Sequence, residues 1–377
     1  MTAGPLNADE AIRYAGAVRG DPAASVRRWK ALSGGKAVGC FPLYLPEEVL
    51  CAAGMLPVTV WGDEFPDAPP ANVPPFLCGI VRGAFASIRG GRWDAIDAWA
   101  VPSTCDSIQN AVEVLKAGGE GRPLFPLVFP LSGDLPGAAE YLLDRIEAFA
   151  GWAEQVSGRR VSEGALEKAI AASNENRRAF ARLEDRMADS PASVTAVEFA
   201  LLARAGSLVP KETHSAMLRA VVARAGSGGR RARARVFLTG IMAEDAVASA
   251  LDHAGAAVVG NDLGRGRRYY EGLAPESGDA AVALVRRHLS RGPCSTLHWS
   301  GNARLDSLFE RVAACGADRV LLLRIRQCEP EAGDEPDIAA RARERGIPFL
   351  AVDTDPGTGG AAASLAVRIG AFVEMGE

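Results

Sequence analysis

Three short phrases in this chain carry a thiol to positions where it could do chemistry: Leu77-Cys78, Ser103-Thr104-Cys105-Asp106-Ser107 and Arg326-Gln327-Cys328-Glu329-Pro330. Three soft thiolates with no histidine beside them in sequence suit an iron–sulfur cluster better than zinc. Three protein ligands rather than four would leave one iron open to chemistry. The same residues also read as three unrelated buried thiols, since free cysteine is among the most buried residue types. The chain has seven cysteines and no C-x-x-C pair, which disfavours zinc ribbons and ferredoxin-like cluster loops.

The other four cysteines rank lower. Cys40 lies in an expected strand and is a reserve ligand or a core thiol. Cys294 lies in a loop, Gly292-Pro293-Cys294-Ser295, and is a second reserve. Cys51 and Cys315 sit among alanines and read as packing. His214, His253 and His288 stand in helical, charged surroundings and read as surface residues. His298, close after Cys294, is a weak candidate acid or ligand. The stretch Gly260-Asn261-Asp262-Leu263-Gly264-Arg265-Gly266-Arg267-Arg268-Tyr269 mixes glycines with arginines. It reads either as a phosphate cradle built from backbone N–H groups or as a mobile loop with solvated arginines. Neither a dinucleotide fingerprint nor a P-loop is present, and no H-E-x-x-H or G-x-S-x-G pattern supports hydrolase chemistry.

The elements that must position these residues alternate between strands and helices. Apolar runs at 36–41, 56–61 and 94–102 predict three strands, with a helix opening at Pro46-Glu47-Glu48. A proline-rich loop spans 63–75. Runs at 235–240, 256–262, 319–324 and 347–353 predict four more strands. Between the two sets, from about 136 to 225, the period is helical, and 225–229 reads as a linker. The expected fold is α/β: two flavodoxin-like parallel-sheet domains with a helical segment between them. The expected units are an N-terminal helical segment (1–34), a first α/β domain (35–135), a helical connection (136–230) and a second α/β domain (231–377). Ligands of such sheets bind beyond the carboxyl ends of the strands, where Cys105, Asp262 and Cys328 all fall.

Composition narrows the class. Net charge is −4, and the one basic run, Gly229 to Arg235, leads directly into an apolar strand. Neither nucleic acid nor an anionic membrane is an expected partner. No apolar stretch reaches membrane-spanning length and the first residues lack a signal-peptide layout, so a cytoplasmic location is expected. There structural disulfides are rare, which leaves metal binding or buried thiols.

Taken in order, the phrases resemble a known family. Gly39-Cys40-Phe41-Pro42-Leu43-Tyr44-Leu45-Pro46-Glu47-Glu48 and Ala52-Ala53-Gly54-Met55-Leu56-Pro57-Val58 resemble the opening signature of the benzoyl-CoA reductase / 2-hydroxyacyl-CoA dehydratase family. Pro102 to Ser107 is similar to its second signature. Val258 to Asp262 with Arg268-Tyr269, Cys328-Glu329-Pro330, Gly346 to Leu350, Asp353-Thr354-Asp355 and Arg368 to Met375 resemble the later ones. The resemblance spans residues 36–377.

What the resemblance implies is specific. A [4Fe-4S] cluster would rest on Cys78, Cys105 and Cys328 with a fourth, non-protein ligand. A homologous cluster-bearing subunit would pair with this one, and a separate ATP-hydrolysing iron–sulfur activator would supply electrons. The substrate would be an acyl-CoA. Pro42 and Leu45 stand where some relatives carry further cysteines, which turns the reading away from a double-cubane cluster. Phe41-Pro42-Leu43-Tyr44 and Val60-Trp61-Gly62 lean toward the smaller cluster subunit of an ATP-dependent benzoyl-CoA reductase. The alternatives are a 2-hydroxyacyl-CoA dehydratase subunit, which makes a ketyl radical and eliminates water, and a non-catalytic electron relay.

Overall fold

The computed structural model describes residues 6–63, 73–118, 121–130, 132–224, 232–297, 301–355 and 362–375. The expected linker at 225–229, the first residues of the basic run, His298 and most of the proline-rich stretch at 63–75 lie outside the described residues.

Two helices, α1 (Ala8–Gly20) and α2 (Pro22–Ser33), lie within the helical segment expected at 1–34. Pro22 has no N–H with which to continue α1, and Asp21 caps α2 by accepting from the Ala24 N–H at 2.8 Å. A first α/β unit follows: β1 (Ala37–Cys40), α3 (Glu47–Ala52), β2 (Leu56–Thr59), α4 (Gly79–Arg89), β3 (Ala98–Pro102), α5 (Asp106–Ala117) and β4 (Leu124–Leu127). Four helices come next: α6 (Ala138–Ser157), α7 (Glu163–Asp189), α8 (Ala196–Ala205) and α9 (Lys211–Ala223). The second unit begins with β5 (Ala234–Gly240), α10 (Asp245–Ala254), β6 (Ala256–Leu263), α11 (Arg267–Tyr270) and α12 (Ala280–Leu289). It continues with α13 (Ala303–Ala314), β7 (Arg319–Ile325), α14 (Glu329–Glu344), β8 (Phe349–Thr354) and α15 (Ala362–Glu374).

Both sheets are wholly parallel and share one strand order, β2-β1-β3-β4 and β6-β5-β7-β8. This is the α/β architecture the alternating pattern implied. Most of the described strands are buried along nearly their whole length, as parallel strands covered by helices are. The pattern missed β4, in which Pro126 interrupts the run. As an edge strand, β4 tolerates the lost donor. Gly39 lets β1 and β3 pair closely, since a Cβ there would lie 2.2 Å from the Trp99 ring.

In this strand order the chain reverses direction between β1 and β3, and again between β5 and β7. Loops leave these points in opposite directions and open a crevice. The two crevices meet. The Gly79 N–H donates to the Arg326 carbonyl at 3.1 Å, and Leu43 packs beside Gly264. Ile241, Met242, Ile325 and Cys328 of the second unit join the hydrophobic core of the first. The long α7 contributes Leu166 and Ile170 to that core, and Phe180, Leu183 and Met187 to the core of the second sheet.

Candidate functional site

Cys78, Cys105 and Cys328 occupy the same structural position three times. Each is the N-cap residue of a helix: α4, α5 and α14. None of the three side chains caps its own helix, so each sulfur is free for another partner. Cys105 follows β3 and Cys328 follows β7, which are strands flanking the two switch points. Cys78 reaches the same place because α4 is anchored to the Arg326 carbonyl. The thiols are electrostatic neighbours: Cys78 acts on Cys105, and both act on Cys328.

Close backbone packing holds the first two. Gly62, at φ +77°, and Gly83 of α4 meet so tightly that a Cβ on Gly62 would lie 2.2 Å from the Ile80 carbonyl oxygen. Glycine alone adopts that φ without strain. The Ser107 hydroxyl accepts from the Cys78 N–H at 3.3 Å, tying the Cys78 turn to α5. The Thr104 hydroxyl accepts from the Leu43 N–H at 3.1 Å and donates to the Leu43 carbonyl at 3.0 Å. The loop after β1 is thereby locked to the Cys105 turn.

Buried charge holds the third. Three residues beyond Cys328, Glu331 is fully buried and accepts from Arg268 and from the Ser295 hydroxyl, both at 2.7 Å. Arg268 also pairs with Asp262, which takes Arg304 at 2.5 Å and Arg311 at 2.8 Å. Burial alone would raise the Asp262 carboxyl, but Arg304, Arg268 and Arg311 outweigh it and hold it below the usual range. Gln327, just before Cys328, sits at φ +60°.

Burial pushes all three thiols up, Cys105 to about 12; Cys78 adds to the rise at Cys105, and Glu331, then Cys78 and Cys105, add to it at Cys328. Burial thus favours the protonated thiols while no metal is bound. Three soft donors of this kind ionise on taking a metal centre, aided by the positive end of the helix each one caps. Among the described residues no three His, Cys, Asp or Glu side chains converge tightly enough to share a single metal ion. A polynuclear cluster asks less of them, because each thiolate can bind a different iron.

The remaining candidates separate cleanly. Cys40 is buried inside β1. Cys294 is buried and takes a hydrogen bond from the Tyr44 hydroxyl, with Sγ at 2.7 Å. Cys51 and Cys315 are half-buried. His253 is exposed as expected, but His214 and His288 are not surface residues. His214 bonds the Leu202 carbonyl and Asn176, and burial lowers its pKa to about 3. The glycine–arginine stretch is not a solvated loop, although Arg267 is partly exposed, and its Gly264, Arg265 and Arg267 N–H groups are already taken by the Gly240 and Ile241 carbonyls and the Asn261 side chain. Its arginines pair inward, Arg265 with Asp63, Arg267 with Glu184 and Arg268 with Glu331. Sequence reasoning also passed over Glu331, whose signal was an acid in the first turn of the helix that Cys328 opens.

Residues 42–375 match the sequence profile of a family described as 2-hydroxyglutaryl-CoA dehydratase, D-component. The chain is 27% identical to the (R)-phenyllactyl-CoA dehydratase beta subunit of Clostridium sporogenes, over 86% of this chain and 87% of that one. It is 25% identical to the lactoyl-CoA dehydratase subunit beta of Anaerotignum propionicum, over 95% and 96%. It is 26% identical to one of the subunits of the benzoyl-CoA reductase of Thauera aromatica, over 86% and 87%. With two parallel sheets, three cysteines at helix N-cap positions and a match over nearly the whole chain, this protein belongs to the 2-hydroxyglutaryl-CoA dehydratase D-component family.

Proposed function

We propose that this chain is the iron–sulfur subunit of a low-potential enzyme complex acting on acyl-CoA, holding a [4Fe-4S] cluster on Cys78, Cys105 and Cys328. One observation carries the reading: three cysteines that are remote in sequence cap three helices at one meeting point of the two sheets. Such a cluster supplies single electrons at low potential and one iron with an exchangeable position.

The chain's own residues do the rest. The helix N-termini favour the thiolate forms. Ser107 and the Gly62–Gly83 contact fix the Cys78 turn, and the Arg268–Glu331 pair fixes the Cys328 turn. Leu43, Ile241 and Ile325 pack into one apolar core behind the thiols, while Cys328, with Arg82, Arg326 and Asp355, faces an open cleft of about 510 Å³. In this reading a homologous subunit pairs with the chain, a separate ATP-hydrolysing iron–sulfur activator delivers electrons, and the complex is cytoplasmic. Among the described residues no helix is long and apolar enough to cross a membrane.

Two reactions fit. Reduction of an aromatic acyl-CoA ring is supported by the Phe41 to Tyr44 wording and the similarity to part of a benzoyl-CoA reductase. Elimination of water from a 2-hydroxyacyl-CoA is supported by the similarity to dehydratase beta subunits. Protein purified without oxygen should carry about four irons per chain. Cys105→Ser should lose the cluster absorbance. A full cluster in that variant, or less than about one iron in the parent, would sink the ligand set. Assayed with partner and activator, a dearomatised product selects the first reaction and an enoyl-CoA the second. Neither product from a cluster that still cycles selects an electron relay.

A further inference from the structure

Beside Tyr44 lies a second feature, which the thiols do not use. An interior cavity, with about 30 Å³ of room for the centres of water-sized molecules, is lined by Glu47 and Glu48 of α3, Arg177 of α7, Lys211 of α9, and Arg287 and Arg291 at the end of α12. All six are buried or nearly so. Four cations therefore face two carboxylates.

The carboxylates are already engaged. Glu47 takes Lys211 at 2.7 Å and the Tyr269 hydroxyl at 2.6 Å. Glu48 takes Arg177 on one oxygen. Among the described residues, Arg287 donates only to the Gly272 and Glu271 carbonyls. Arg291 has no carboxylate among them, and its Nε and Nη1 are buried without a hydrogen-bond partner. Its guanidinium lies 4.3 Å over the Tyr44 ring, which offsets only part of the cost of burying a charge. The Ser173 hydroxyl, also on the cavity wall, is buried and unpartnered. Burial, with Arg177 nearby, draws both guanidiniums below their usual range, Arg291 to about 10.

Buried charges are ordinarily paired. We infer that this cavity binds a small carboxylate group, received by Arg291 and Arg287 with Ser173 as a further donor. The space takes a head group but not an aromatic ring. A dianionic phosphate is disfavoured by Glu47 and Glu48 on the same wall. Either a free short acid or the carboxylate ending a longer acyl chain could supply the group. The inference rests on the cavity alone and is independent of the cluster assignment.

Thermal unfolding of the intact, cluster-loaded protein tests it, with sodium acetate compared against sodium chloride at equal ionic strength. Acetate should raise the midpoint by about 2–4 °C at saturation. Arg291→Met should abolish that shift, and its anion-free midpoint should equal or exceed that of the parent, because an unpaired buried charge has gone. A merely structural arginine would give the reverse. If Arg291→Met fails to fold, Ser173→Ala replaces it and should weaken acetate several-fold. The CoA thioester of a dicarboxylic acid forms the second arm. A shift with acetate assigns the free acid, and a shift with the thioester alone assigns the chain-borne group. Absence of any shift in both arms, or an acetate shift unchanged in both variants, overturns the inference.

Discussion

The two sides of the crevice hold their cysteines by different physics. On the first sheet, Cys78 and Cys105 are placed by close contact. Gly39 lies under Trp99, Gly62 against Gly83, and Thr104 and Ser107 hydrogen-bond to backbone. On the second sheet, Cys328 is placed by buried ions, with Asp262 at the centre of Arg268, Arg304 and Arg311, and Glu331 bridging to α14. The difference teaches where each side is fragile. A packed side fails when volume is added. An ionic side fails when one charge is removed, because its partner is then left buried and alone.

The ionic side should give the larger effect. Arg268→Met leaves Glu331 with only the Ser295 hydroxyl and removes one of the three arginines on Asp262. The expected cost is about 3–5 kcal/mol in denaturant unfolding. A cost below about 1 kcal/mol would mean that Arg304 and Arg311 neutralise Asp262 unaided, and that this side is packed like the other.

The packed side should break next. Gly62→Ala puts a Cβ 2.2 Å from the Ile80 carbonyl oxygen at a φ of +77°. About 1–3 kcal/mol should be lost as α4 shifts. Because α4 begins at Cys78, iron content should fall with stability although no thiol has been touched. Full iron at reduced stability would show that the Cys78 turn is held from α5 by Ser107 rather than by the glycine contact.

The contrast also explains what could be read from sequence. Seven of the eight strands among the described residues follow from apolar runs, and Cys105 and Cys328 stand out because they directly follow two of those runs. On the packed side the strands are legible, since apolar runs are local signals, whereas the Gly62–Gly83 contact exists only in the folded chain. The ionic side is not legible. Asp262, the Arg304 and Arg311 pair on α13, and Glu331 are tens of residues apart, and nothing local shows that an arginine will be buried. For the same reason Arg265 and Arg268 resembled a solvated loop, and His214, which meets α7 and α8 only on folding, resembled a surface residue. Cys78 follows no strand, and its place depends on a helix anchored across the crevice at Arg326.

The smallest expected effect lies at the margin of the ionic side, where Glu184 accepts from Asn261 and Arg267. Burial outweighs Arg267 and raises the Glu184 carboxyl from its usual 4.5 to about 7. A carboxyl raised in the folded state adds stability in its protonated form. That contribution is whole below pH 4.5, declines as the pH climbs toward 7 and is absent above it. Glu184→Gln should therefore flatten the fall in stability between these values by up to about 1 kcal/mol per pH unit. Glu244, raised to a similar value mainly by burial, would keep its own share of the slope, so the double variant with Glu244→Gln should flatten it further. If the slope is unchanged in Glu184→Gln, Arg267 keeps Glu184 ionised across the range. The buried ions would then be fully paired out to their margin, and the two sides of the crevice would differ more sharply still.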